Sequence, residues 1–313
     1  MSNMNSTKHY VAIARFDHWF KNLLMLPGFA LAAALGERYE LHLLWNLLIG
    51  LLAVGLIASA NYTINEWLDG EFDKYHPIKY TRPTVQGHIE AKYVYLQWML
   101  FALVGLLIGW TLSVQFFVAA ILLLIMGLIY NVKPIRSKDR QYLDVLSESV
   151  NSPLRLMLGW AIVLPNELAP SSMLLSYWMG GAYLMAVKRY AEYRLIDDPS
   201  RAALYRRSFG HYSENTLLLS SFFYALMSAF FLGVFLVKYR IEFIVTLPFF
   251  AVLFVWYLSI GMQSASVAQT PEKLYKEGRF VLFVVALIAV VLFATFVDVP
   301  SLEILVQKLE FAQ

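Results

Sequence analysis

The chain has 313 residues, 59% hydrophobic and 15% charged, with a formal net charge of +3 and a mean hydropathy of +0.57. That balance excludes a soluble globular composition and places the bulk of the chain in an integral membrane domain. The absence of cysteine excludes disulfides, thiolate metal sites and a cysteine nucleophile.

Apolar stretches of about the 20 residues that a bilayer core requires recur from end to end. Nine spans are expected, near residues 20–35, 43–64, 93–110, 113–131, 144–163, 171–187, 216–237, 242–262 and 280–298. The expected fold is all-α, a transmembrane bundle forming a single domain over residues 1–313. Arg15, His18 and Lys21 precede the first span, which lacks a small-residue cleavage site, so no cleaved leader is expected.

Span one opens on Arg15-x-x-His18-Trp19-x-Lys21-Asn22. Trp19 with flanking cations reads as an interfacial anchor, whereas Lys21 and Asn22 are candidates for binding substrate. Span two ends in Asn65-Glu66-Trp-Leu-Asp69-Gly-Glu71-Phe-Asp73. Glu66, Asp69 and Asp73 are spaced three and four apart and share a helix face, from which Glu71 points away. Such a row suits a divalent metal holding a phosphorylated ligand, since magnesium takes one or two carboxylates plus phosphate oxygens. Taken alone, the row is equally compatible with a solvated helix end. The basic run that follows supplies Lys79 and Arg82 for the phosphate charge.

At the end of span four, Tyr130 and Lys133 join the substrate-binding candidates. Span five carries Asp144, Glu148, Asn151 and Arg155 on one stripe. Arg155 would lie two to three turns deep, where a cation needs an anionic partner, either ligand phosphate or Glu148. Span six ends in Lys188-Arg189-Tyr-Ala-Glu192, which abuts the membrane. Arg201, Arg206 and Arg207 beyond it are read as contacts to anionic lipid headgroups.

The N-terminus and the loops after spans two, four, six and eight hold 20 of the 25 Lys and Arg residues. The opposite side holds Arg38, Lys238, Arg240 and Lys308. The positive-inside rule then makes the first set cytoplasmic and puts the C-terminus outside. The longer polar segments, near residues 65–92, 132–143, 188–214 and 264–279, all fall on that cytoplasmic side. A transporter would carry ionisable residues at mid-bilayer on several spans; here, Arg155 apart, they cluster at one face.

Together these segments resemble the UbiA intramembrane prenyltransferase superfamily, and within it the decaprenyl-phosphate phosphoribosyltransferases. Those enzymes show Arg-Pro-x-Gln-Trp-x-Lys-Asn near the N-terminus, where this chain has Arg15-Phe16-Asp17-His18-Trp19-Phe20-Lys21-Asn22. Their first acidic motif resembles Asn65-Glu66-x-x-Asp69-x-x-x-Asp73 followed by His76-Pro77-x-Lys79-x-x-Arg82-Pro83, with Glu66 standing where the pattern has Asp. The segments 142–155 and 188–192 and the loop 270–279 are also similar. The resemblance implies nine helices around a central cavity open to the cytoplasmic face, with Mg²⁺ the cofactor. It implies metal contacts from Asn65, Glu66, Asp69, Asp73, Asp144 and Glu148, with Asp69, Asp73, Asp144 and Lys188 catalytic. Substrate binding is expected of Lys21, Asn22, Asn65, Lys79, Arg82, Tyr130, Lys133, Asn151, Arg155, Arg189 and Glu192. The implied reaction moves 5-phosphoribose from phosphoribosyl diphosphate (PRPP) to a polyprenyl phosphate; the alternative is prenyl transfer from a prenyl diphosphate to an aromatic or other acceptor. No nucleic-acid partner is expected.

Overall fold

The computed structural model describes residues 2–87, 89–263 and 266–305. Lys308 and the C-terminal tail lie outside the described residues, as do positions 264 and 265 of the expected 264–279 segment. Every regular element among the described residues is helical.

The first span is composite. Helix α1 (Ser2–Ala14) ends at Arg15, in the left-handed region at φ 49°; a 3-10 stretch, Phe16–Met25, then leads into α2 (Leu26–Gly36). Pro27 near the start of α2 has no N–H to donate, so it fits a helix start and not its interior. Helix α3 (His42–Asp73) has 32 residues. At 1.5 Å per residue it is about 48 Å long, well beyond a hydrocarbon core of about 30 Å. Its polar end from Asn65 to Asp73 therefore projects past the apolar part.

Helices α4 (Ala91–Leu112) and α5 (Val114–Asn131) form a tight hairpin, with the Ser113 hydroxyl capping α5 by accepting from the Phe116 N–H at 3.1 Å. The expected span 144–163 is broken into α6 (Leu143–Ser149) and α7 (Asn151–Val163). Pro153 is the cause: it cannot donate to the Ser149 carbonyl, and its ring crowds that turn. Helix α8 (Ser171–Ile196) is long but diluted by Ser, Gly and aromatic residues. The remaining helices are α9 (Pro199–Tyr205), α10 (Glu214–Lys238), α11 (Leu247–Gly261) and α12 (Gly278–Phe296). By length and composition, 7 described helical stretches can cross a membrane. The broken pair α6–α7 and the polar α8 do not reach that threshold, although both occupy the positions expected for spans five and six.

Helix α7 sits at the centre, buried at every position from Arg155 to Val163. It packs backbone to backbone on α2 and on the end of the 3-10 stretch before it. A Cβ on Gly28 would lie 2.0 Å from the Leu156 carbonyl oxygen, and one on Gly159 would lie 2.0 Å from that of Met25. Such small-residue contacts suit membrane helices, which lack a hydrophobic driving force for association. The outer helices instead present large side chains outward, Leu282 at 71% and Val255 at 70% exposure, as a lipid-facing surface requires.

The four polar segments meet at one end of this bundle. Lys79 reaches Glu192, Gln141 donates to the His211 carbonyl, Arg201 to the Tyr75 carbonyl, and Gln269 to the Ala191 carbonyl. At the other end, Arg240 pairs with Asp298 at 2.6 Å and with Glu242 at 3.4 Å.

Candidate active site

The acid row on α3 is neutralised by cations that arrive from elsewhere in the chain. Glu66 pairs with Arg15 at 2.9 Å and with Arg82 at 3.7 Å. Arg82 also pairs with Asp73 at 2.5 Å, so one guanidinium clasps two acids two turns apart. Asp69 takes Arg136 at 3.3 Å and also Lys138. Lys138 donates in addition to Asn131 Oδ1 at 2.7 Å, the same atom that accepts from Asn65 Nδ2 at 2.5 Å. Burial pushes the Lys138 amine down to about 8, against the pull of Asp69.

The second acidic motif gathers around Arg189, which is only 1% exposed. Its guanidinium lies 3.4 Å from Asp144, 2.7 Å from Glu148 and 3.0 Å from Glu192. Asp144 also accepts from the Tyr212 and Ser208 hydroxyls, at 2.8 and 3.1 Å. The Tyr130 hydroxyl donates to Glu148 at 2.7 Å and accepts from Arg189 and Arg206. A charge this deeply buried is tolerated only when paired and hydrogen-bonded, which Arg189 is.

The loop after α3 joins the two motifs. Lys79 donates to Glu192 at 2.8 Å and also to the Tyr205 hydroxyl. Although burial opposes its charge, the Glu192 carboxylate holds the Lys79 ammonium above the ordinary lysine value. His76 shapes this loop by accepting the Ile78 and Lys79 backbone N–H groups at Nδ1, at 3.1 and 3.2 Å. Burial, with Lys79 beside it, lowers its imidazole to about 3, so it stays neutral. Lys188 makes no hydrogen bond or ion pair among the described residues.

The structure therefore brings together Asn65, Glu66, Asp69, Asp73, Lys79, Arg82, Tyr130, Asp144, Glu148, Arg189 and Glu192. Deeper in the bundle, Arg155 donates to Asn22 Oδ1 at 3.1 Å and to the Asn151 carbonyl at 3.2 Å. The alternative Arg155–Glu148 pair is not formed, because Arg189 holds Glu148. Lys21 lies 3.3 Å from His18 Nδ1. Lys133 is exposed and is not drawn into the cluster.

Two expectations need correction. Trp19 is not simply an interfacial anchor: its indole N–H donates inward to Ser59 at 2.9 Å. Arg206 does not face headgroups but reaches the Tyr130 hydroxyl at 3.2 Å, whereas Arg201 and Arg207 are exposed as expected. Arg15, Arg136, Lys138, Tyr205, Ser208 and Tyr212 were not singled out from sequence as site residues. The basic run 133–140, one short loop beyond α5, is the signal that points to Arg136 and Lys138.

No group of three or more His, Asp or Glu side chains among the described residues converges as a ready-made metal cage. The donor chemistry nevertheless fits magnesium, because the motifs offer hard carboxylate and amide oxygens. That ion needs only one or two carboxylates when phosphates and waters complete its sphere. The cations now paired with those acids are the groups that a phosphate ligand would engage.

The fold is that of a family of membrane-embedded transferases. The chain belongs to the UbiA prenyltransferase family, whose model matches residues 24–287. It is 28% identical over 217 residues to a decaprenyl-phosphate phosphoribosyltransferase of Mycolicibacterium smegmatis, covering 68% of this chain and 65% of that protein. A protein of the same name from Mycobacterium tuberculosis is 27% identical over 209 residues, covering 66% of this chain and 67% of its own length. A protoheme IX farnesyltransferase of a Geobacillus species is 30% identical over 172 residues, with 53% and 54% covered. Among solved structures, a UbiA homolog from Archaeoglobus fulgidus bound to GPP and Mg²⁺ superposes with a TM-score of 0.69 at 20% identity. That match covers 92% of this chain and 99% of the other, and it shows the shared fold.

Proposed function

We propose that this protein transfers 5-phosphoribose from PRPP to a polyprenyl phosphate, with diphosphate as the leaving group. The observation that carries this reading is a surplus of cations. Among the described residues, Lys188, Arg206 and Arg155 have no carboxylate in salt-bridge contact, although each is buried or half-buried in or beneath the site. A donor with a 5-phosphate and a diphosphate, plus a phosphate acceptor, brings more negative charge than a prenyl diphosphate alone. The names of the mycobacterial relatives support the same choice.

In this reading Asn65, Glu66, Asp69, Asp73, Asp144 and Glu148 would hold Mg²⁺, which when bound would neutralise charge on the departing diphosphate. Lys79, Arg82, Lys188, Arg189 and Arg206 take the phosphate groups, Arg in a fork and Lys as a point charge. The acceptor phosphate oxygen bonds to the anomeric carbon as the bond from that carbon to diphosphate oxygen breaks. A phosphate is already anionic at neutral pH, so no general base is required. The bundle comprises nine passes, with α6–α7 and α8 among them, and its site opens to the cytoplasm where phosphorylated sugars are made.

Prenyl transfer to an aromatic or other acceptor is the second reading, favoured by the protoheme IX farnesyltransferase relative. One experiment separates the two. Purified protein with Mg²⁺ is given labelled PRPP and polyprenyl phosphate, or labelled prenyl diphosphate and aromatic acceptors. Label entering the lipid phase from PRPP supports the proposal; acceptor labelling from the prenyl donor alone overturns it.

A further inference from the structure

Arg155 lies on the buried stretch of α7 and is 8% exposed, and its only hydrogen bonds among the described residues go to neutral amide oxygens. An intramembrane cation is expensive unless an anion accompanies it. Next to it, Asn22 Nδ2 and Asn151 Oδ1 are buried without a hydrogen-bond partner. Asn22 is 2% exposed, so water does not satisfy it. A guanidinium and an unused amide donor side by side make a built anion site.

The same Asn22 lines a cavity of about 330 Å³, whose other walls are Trp19, Phe20, Leu23, Leu48, Leu51 and Leu52. Trp19 is fixed there by its bond to Ser59 and by Gly55, where a Cβ would come 2.8 Å from the indole ring. Leu23, Leu48 and Leu52 are exposed on the outer, lipid-facing surface. The groove thus opens on the membrane side and ends against Asn22, the residue whose side chain touches Arg155. A sugar phosphate has nothing to place against this wall, whereas an amphiphile has a tail for the groove and a phosphate for Arg155.

We propose that Asn22 and Arg155 form the phosphate subsite for the acceptor lipid, and that the groove between the 3-10 stretch Phe16–Met25 and α3 receives its first isoprene units. The identity of the acceptor rests on the phosphoribosyl reading; the subsite itself rests on the geometry.

The test uses full-length protein in detergent, with Arg155→Gln, Arg155→Lys and Leu48→Trp. Native mass spectrometry compares retention of polyprenyl phosphate with that of the neutral polyprenol of equal length, in the absence of PRPP. Wild type should prefer the phosphate, and Arg155→Gln should lose about tenfold of that preference, while Arg155→Lys keeps part of it. In turnover, Arg155→Gln should raise the KM for the lipid about tenfold and leave the KM for PRPP within about twofold. Leu48→Trp should weaken binding of polyprenyl phosphates, short and long alike, because every chain carries the first isoprene units. Wild-type phosphate preference in Arg155→Gln, or a KM rise confined to PRPP, overturns the subsite. Unchanged polyprenyl phosphate binding in Leu48→Trp overturns the groove and stands even if Arg155→Gln does not fold. If no phosphoribose is transferred at all, the phosphoribosyl reading falls, while lipid-phosphate retention that depends on Arg155 still supports the subsite.

Discussion

Lys79, in the loop after α3, donates to Glu192 of α8 at 2.8 Å across a separation of 113 residues. Glu192 passes the connection to Arg189 at 3.0 Å, and Arg189 holds Asp144 and Glu148. The loop after α3 thereby spans both acidic motifs, with Arg82 on Glu66 and Asp73 and Lys79 on Glu192.

Glu192→Gln should therefore reach beyond its own position. It strips a buried partner from both Lys79 and Arg189, and the expected loss of stability is about 3 kcal/mol, read by thermal unfolding in detergent. Combined with Lys79→Met, the losses should fall short of additive, because the second change removes a charge already orphaned. Simple additivity would mean that the pair is not coupled.

Asp69→Asn and Asp73→Asn should each lower transfer by about a thousandfold while the protein stays folded. Lys138→Met should lower it by about tenfold, since Lys138 is the cation poised on Asp69. Near-wild-type turnover in both Asp variants would remove the proposed metal site.

Chelation should stop transfer, and added Mg²⁺ should restore it. PRPP binding followed by calorimetry should show the same dependence, because the hard oxygen donors of the motifs favour that ion. Undiminished PRPP binding and transfer in excess chelator would contradict this.

His76 gives a pH signature. Its folded value of about 3 lies below the unfolded value of 6.5. As pH falls below 6.5 the unfolded chain gains a proton that the folded loop refuses, so stability drops progressively towards pH 3. By pH 5 the loss is about 2 kcal/mol. His76→Asn should flatten this limb in thermal unfolding measured from pH 7.5 to 5; an identical slope in both proteins would show that His76 is not the titrating group.

Gly159→Ala should cost about 1–3 kcal/mol, since the new Cβ meets the backbone of Met25 and of Phe29 at the start of α2. Gly233→Ala is the control, with nothing within 4 Å of its Cβ. Equal unfolding temperatures for the two variants would refute the close α2–α7 contact.

Much of this was legible in sequence. Spacing alone set Glu66 and Asp73 on one face, and Arg82 bridges them as that face requires. The break at Pro153 was equally open to reading, yet continuous hydropathy across residues 144–163 concealed it. Arg206 was misread because a loop arginine beside a membrane looks the same whether it turns outward to headgroups or inward to Tyr130.

Composition, hydropathy and motif spacing by themselves determined a helical membrane protein with acidic motifs and basic runs at one end, because helix period and span length are local properties of the chain. Which cation meets which acid was decided only by the tertiary structure. Coulomb attraction depends on distance in space and on burial, not on separation along the chain. Hence Arg189 rather than Arg155 took Glu148, and Arg155 was left with amide oxygens in the bundle interior.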